Sequence, residues 1–318
     1  MIIRRYLWIA VAVMILTVAA PLCAQVKITP AADRISVEID GKPYADFFLA
    51  PGGNKPYVYP LRTASGIIVT RPYPIDKASG EATDHPWHHG LYFSHGAVNG
   101  ADLWNTEPDS KDPKRGHMAL KKVLETKSGA KSGSIKATFE AFGPDPGLLM
   151  TETRTITFYS DPELRIIDYE IVIDPAQKVT FGDTKEGTFG MRLATALAED
   201  HGGKMVNAEG AETEKNVWGK RSNWVDYYGQ LNGKTVGVAI FDNPSNPRHP
   251  TYWHSRAYGL FAANPFGLKD FVNDKTKDGS LTIDRGQRIT FRYRVVIHPG
   301  DVRSANIAAL YAKYSAGK

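Results

Sequence analysis

The chain has 318 residues, 42% hydrophobic and 23% charged, with a formal net charge of +5 and one cysteine. Its Lys and Arg are scattered among Asp and Glu without a basic run, which argues against a nucleic-acid-binding face. The single cysteine, Cys23, lies in an N-terminal apolar segment. The rest of the chain therefore has no disulfide, no thiolate metal site and no cysteine nucleophile. It must rely on an ordinary hydrophobic core, which about 290 residues can build.

Residues 1–24 have the three-part layout of a secretory signal. Arg4 and Arg5 supply the positive end, Tyr6 to Ala20 is uncharged and apolar, and Pro21 precedes a small residue, Ala24. Leu22 is bulky where a lipoprotein signal wants a small residue. A periplasmic or extracellular protein is expected, with no membrane span in the mature chain, since no second long apolar segment follows.

The remainder reads as strands. Ile35–Ile39 alternates and turns at Asp40-Gly41 into Tyr44–Leu49. Ile67–Arg71 is a β-branched run. Met118–Thr126 and Ser134–Phe142 form a hairpin, and Thr151–Tyr159 and Leu164–Ile173 alternate around Ser160-Asp161-Pro162. Val236–Phe241 and Tyr258–Ala262 are short apolar strands. Leu281–Asp284 and Arg288–His298 read as a late hairpin across Arg285-Gly286-Gln287. Only Ile307, Leu310, Tyr311 and Tyr314 have helical spacing, with Asp301 or Ser304 as N-cap. The expectation is an all-β chain: one large antiparallel β-sandwich over 25–318 with a short C-terminal helix.

Two stretches, Arg71–Glu107 and Asp242–Gly267, break the strand pattern and read as long functional loops. The first holds Asp84, His85, Trp87, His88, His89 and His95, then Asn99, Asp102 and Trp104. Four of the nine histidines of the chain fall between residues 85 and 95. Imidazoles serve as general acid, general base or metal ligand near neutral pH. His88, His89 and His85 are the candidate catalytic groups. His85, His88 and His95 are the ligands if a divalent metal is bound, although no cofactor is expected.

The second stretch holds Asn246, Arg248, Trp253, His254 and Arg256, the amide, guanidinium and indole groups that read vicinal hydroxyls and the face of a sugar ring. Arg71 and Arg192 join the candidate substrate-binding set with Asp84, Trp87, His95, Asn99 and Trp104. Arg192 sits in an apolar strand and needs a partner, either a structural carboxylate or a substrate group. Asp226 reads as a strand residue facing water. Glu81, Asp84, Asp102, Glu107 and Glu186 are the carboxylates from which an acid/base pair could come. No G-x-S-x-G elbow is present.

The runs Tyr59-Pro60-Leu61, Val69-Thr70-Arg71, Asp84-His85-Pro86-Trp87-His88-His89-Gly90-Leu91, Val98-Asn99-Gly100, Leu103-Trp104, Asn246-Pro247-Arg248, Trp253-His254 and Tyr258-Gly259-Leu260 resemble the PmoA-like family. That family is a domain of unknown function often labelled "methane oxygenase PmoA". The resemblance implies an exported β-sandwich acting on carbohydrate. A subunit truly of that name spans membranes, which this chain is not expected to do after residue 24. The architecture is also similar to galactose mutarotase-like sandwiches, in which a His acid and a Glu base act on a sugar ring, an analogy of fold alone.

The leading expectation is an enzyme of epimerase, lyase or glycoside-hydrolase type whose partner is a carbohydrate or a small molecule derived from one. The alternatives are a non-catalytic carbohydrate-binding module and a metal-dependent enzyme.

Overall fold

The computed structural model describes residues 25–317, so the segment read as an export signal lies outside the described residues. Two eight-stranded antiparallel sheets and one two-stranded sheet make up the described molecule. The first runs, in spatial order, Val26–Pro30, Arg34–Ile39, Lys42–Phe48, Tyr57–Tyr59, Leu91–His95, Gly187–Arg192, Leu260–Asn264 and Tyr252–Ser255. The second runs Lys204–Asn207, Trp224–Leu231, Lys234–Asp242, Ile289–Pro299, Arg165–Pro175, Leu148–Ser160, Ser132–Phe142 and His117–Lys127. Among the described residues no helix is long and apolar enough to cross a membrane.

The alternation that marks a half-buried strand is realised side chain by side chain. In Leu148–Ser160, Glu152, Arg154, Ile156 and Phe158 point inward while Thr153, Thr155 and Thr157 point out. Aromatic pairs join the sheets across the core: Phe47 to Phe139 at 5.9 Å, Phe93 to Phe291 at 5.6 Å, and Phe189 stacked on Tyr293 at 4.4 Å between centroids. Burying such rings dominates the stability of a sandwich interior. The Asp40-Gly41 turn has both residues at positive φ, 53° and 73°, as a two-residue hairpin requires.

Several expectations are corrected. Leu281–Ile283 does not pair with the strand after Arg285-Gly286-Gln287. It pairs with Val179–Phe181, while Ile289–Pro299 lies deep in the second sheet between Lys234–Asp242 and Arg165–Pro175. A turn reverses the chain but does not choose the partner. Ile67–Arg71 contributes only bridges, Arg62 to Ile68 and Thr70 to Leu193. The two long loops contain the strands Leu91–His95 and Tyr252–Ser255, and the strand expected at Tyr258–Ala262 runs over Leu260–Asn264. These show little alternation because both of their faces are covered.

The C-terminal helix, Ile307–Ser315, starts at Asn306 without a side-chain cap. The Asp301 carboxylate instead accepts the amides of Arg303 and Ser304 in the turn before it. Asp226 does not face water: it is fully buried, 3.1 Å from His298 Nε2. Its strand face is the one on which the C-terminal helix packs, through Trp224, Ile307 and Tyr314.

Candidate functional site

The outer face of the first sheet carries a cleft of about 420 Å³ lined by His85, Trp87, Asp102, Trp104, Asn105, Lys185, Glu186, His254, Arg256 and Tyr258. Both stretches singled out in the sequence therefore meet in one place, joined by the Lys185-Glu186 segment that enters strand Gly187–Arg192.

Arg71 shapes the first wall. It is fully buried, and its guanidinium donates to the carbonyls of Asp84 (2.6 Å), His85 (2.9 Å) and His88 (3.4 Å) and to the Asp84 carboxylate (3.0 Å). The Asp84–His88 segment is thus wrapped around one side chain. Gly90 ends the wrap at φ 39°, where a Cβ would collide with the Val58 carbonyl and sit 2.9 Å from Tyr59 Cβ. Only glycine lets the segment pass so close to strand Tyr57–Tyr59.

Arg192 rises from the sheet floor and donates two parallel bonds to Asp84, at 2.9 and 2.7 Å. This is the fork-to-fork pairing that favours arginine over lysine. Burial by itself raises the Asp84 carboxyl. The hydrogen bonds from Arg192 and His85 and the charges of Arg192 and Arg71 outweigh that effect and hold it well below the usual carboxylate range.

An ionised Asp84 can only accept, so the close contact from His85 Nδ1 is a donated N–H. His85 Nε2 has no protein partner among the described residues. The His85 ring lies between parallel rings, His88 at 4.9 Å and Tyr258 at 5.2 Å, with Trp87 edge-on at 5.2 Å. Tyr258 is held in turn by Arg192, whose guanidinium lies 4.6 Å from its ring centroid.

On the second wall, His254 Nδ1 donates to the Lys185 carbonyl at 2.7 Å, which leaves its Nε2 lone pair free. Burial lowers this imidazole to about 4 against the pull of Glu186 and the Lys185 carbonyl, so it is neutral at pH 7. Glu186 pairs closely with Lys185. Its backbone is clasped by Gly96, whose amide donates to the Glu186 carbonyl at 2.7 Å, and a Cβ on Gly96 would sit 2.8 Å from Glu186 Cβ. One Asp102 oxygen accepts the amides of Trp104 (2.8 Å) and Asn105 (3.0 Å), fixing the turn that carries both cleft residues. Burial raises the Asp102 carboxyl against those bonds.

The other expected residues divide cleanly. His88 is buried beneath His85, and burial together with Arg192 lowers it well below the usual histidine value. His89 is buried outside the cleft lining, stacked on Tyr57 at 4.8 Å with Nε2 3.4 Å from Glu107. His95 is buried against Phe181 and Phe266 with Nε2 2.7 Å from the Gly182 carbonyl. Among the described residues no three His, Cys, Asp or Glu side chains are arranged to hold a metal ion, so the set His85, His88 and His95 is not assembled.

Asn99 ties the Lys178 carbonyl to the Thr180 amide, and Asn246 bonds Asp242 and the Arg292 backbone. Arg248 spans the carbonyls of Pro265, Gly279 and Ser280. Trp253 is a core residue, its Nε1 donating to the Ser222 carbonyl at 2.9 Å, and a ligand cannot reach it. Arg256 lines the cleft but is paired with Glu214 at 3.0 Å.

Lys185, Asn105 and Tyr258 were not among the expected site residues, and nothing periodic marks them. Lys55 was missed too: fully buried, it donates to the Trp104 carbonyl at 2.7 Å beneath the cleft wall. Burial lowers it to about 7 against the charges of Glu107 and Asp102.

Among solved structures, the chain is similar to a galactose mutarotase-like protein from Clostridium acetobutylicum, at 10% identity and a TM-score of 0.46, over 86% of this chain and 98% of that one. It is similar to a galactose mutarotase-like protein from Lactobacillus casei at 10% identity and a TM-score of 0.38, over 86% and 100%. It is also similar to the GH36 α-galactosidase AgaA from Geobacillus stearothermophilus at 9% identity and a TM-score of 0.29, over 87% of this chain and 40% of that one. No curated protein matches the sequence. One family model matches residues 34–312, nearly all of the described chain, and its description names no activity. The chain belongs to this family of unknown function, DUF6807.

Proposed function

We propose that the protein is a carbohydrate-active enzyme that uses acid–base chemistry at a sugar carbon, for epimerisation, elimination or hydrolysis of a glycoside. The observation that carries this reading is one cleft holding both an imidazole locked on an ionised carboxylate and a second, separate carboxylate. Asp84 fixes the His85 tautomer and stabilises the imidazolium that forms when Nε2 takes a proton, the role a carboxylate plays behind a catalytic histidine. Glu186 supplies the partner group for the opposite transfer. Trp87 and Tyr258 offer aromatic faces to the apolar side of a ring. The His254 Nε2 lone pair and the Asp102 carboxylate accept hydrogen bonds from hydroxyls. The residues read as an export signal support the periplasm or cell surface as the place of action.

The test is 1H NMR in D2O of a panel of mono- and oligosaccharides incubated with the purified protein. Deuterium uptake reports epimerisation, olefinic signals report elimination, and new anomeric signals report hydrolysis. Turnover that falls by about 10²–10⁴-fold in both His85→Ala and Glu186→Gln is the expected result. Sugars that bind but never turn over would instead make the protein a binding module.

A further inference from the structure

The charges around the cleft are already matched to one another. Arg71 and Arg192 share Asp84, at 3.0 and 2.7 Å. Arg256 is on Glu214 at 3.0 Å, and Lys185 is on Glu186. Lys55 is fully buried with its Nζ on the Trp104 carbonyl. Each of these basic groups therefore has a protein partner nearby, the Arg256–Glu214 pair being a charge contact without an aligned hydrogen bond. The exception among the charged groups of the lining is anionic. Asp102 has one oxygen on two backbone amides and no cation within ion-pairing distance among the described residues.

We propose that the cleft takes a neutral or amino-bearing polyhydroxylated ring and rejects its carboxylate-bearing counterpart, with Asp102 as the group that sets the preference. This rests on the carbohydrate reading above. A ligand carboxylate would enter beside two carboxylates, Asp102 and Glu186. It could gain a counter-charge only by drawing an arginine or lysine off its present partner, which leaves that partner uncompensated in a partly buried place. A hydroxyl has no such difficulty, because it donates to the open Asp102 oxygen or to His254 Nε2 and accepts in turn. An ammonium group donates to Asp102 directly. Arg71 and Arg192, expected among the substrate-binding groups, thus shape the cleft wall and do not bind the ligand's charge.

Isothermal titration of the purified protein at pH 7 with glucose, glucosamine and glucuronate, and with the galactose counterparts, tests the assignment. The expected result is a uronate bound at least tenfold more weakly than its neutral sugar, and a gap that narrows at least threefold in Asp102→Asn because the uronate improves. Asn keeps the acceptor for the Trp104 and Asn105 amides, and an unchanged melting temperature confirms that the turn is intact. A uronate bound as tightly as its neutral counterpart overturns the assignment and leaves the carbohydrate reading standing. A gap that Asp102→Asn does not change overturns Asp102 as its source. Silence from every member of both series removes the carbohydrate reading and the assignment with it.

Discussion

Two clusters in this molecule are built from the same chemistry and end differently. Between the sheets, Arg154 donates to Glu152 at 3.0 and 2.6 Å and to the carbonyls of Pro56 and Phe93 at 3.0 and 2.9 Å. Its side chain is 0% exposed and that of Glu152 is 2% exposed. Under the cleft, Arg71 and Arg192 are equally buried, but the Asp84 carboxylate they share is 40% exposed and passes its contact on to His85. The closed cluster commits its donors to joining one sheet to the other. The open one commits its arginines to a carboxylate that stays partly exposed and holds a cleft-lining histidine. Arginine burial alone therefore does not separate scaffold from site; the exposure of the acceptor does.

The largest break of that comparison is Arg154→Met, which strands a buried Glu152 charge. It should cost about 3–5 kcal/mol in urea unfolding, and a loss below about 1 kcal/mol would mean the core pair is dispensable. Next comes acid. Burial lowers His95 and His254 to about 4, whereas in the unfolded chain they titrate near 6.5. Between those values the unfolded state binds more protons. Stability therefore falls as pH drops from about 6.5 to about 4, by on the order of 3 kcal/mol for each group, and these two contribute no further loss below that. Urea midpoints measured across this range should show the fall, and His254→Gln should remove its share. An identical pH profile in the variant would sink the assignment.

Asp84→Asn leaves two buried guanidiniums without their counter-charge, but water reaches the position, so about 1–3 kcal/mol is expected. Sugar turnover should fall by about 10²–10⁴-fold, since His85 loses the carboxylate that orients it. The smallest stability change belongs to His85→Ala, within about 1 kcal/mol by thermal melting, with a loss of turnover as large as that of Asp84→Asn. If His85→Ala destabilised as much as Arg154→Met, the cleft cluster would be scaffold after all.

The strands with one face in the core were legible, because side-chain alternation reports that condition directly: Leu148–Ser160 and Arg165–Pro175 match their expected patterns to within a few residues. Leu91–His95 and Tyr252–Ser255 were hidden in presumed loops because burial on both faces erases alternation. At the cleft, the clustering of histidines picked out a segment that lines it through His85, but could not rank its members. His88, His89 and His95 differ from His85 in which way the chain turns around Arg71 and in what covers them.

Legible in the residues alone were an all-β chain, the Asp40-Gly41 hairpin, the C-terminal helix and the two segments that form the cleft. These follow from periodicity, turn residues and local composition, which act over a few residues. Tertiary packing alone brings the two segments together, converges Arg71 and Arg192 on Asp84, gives Arg248 and Trp253 to packing, and lines the cleft with Glu186 and Tyr258. Those outcomes depend on strand partners far apart in the chain. The segment 91–95 pairs with 187–191, and 189–192 with 260–263. Partner choice is set by which apolar faces bury together, a property of the whole core that no local pattern contains.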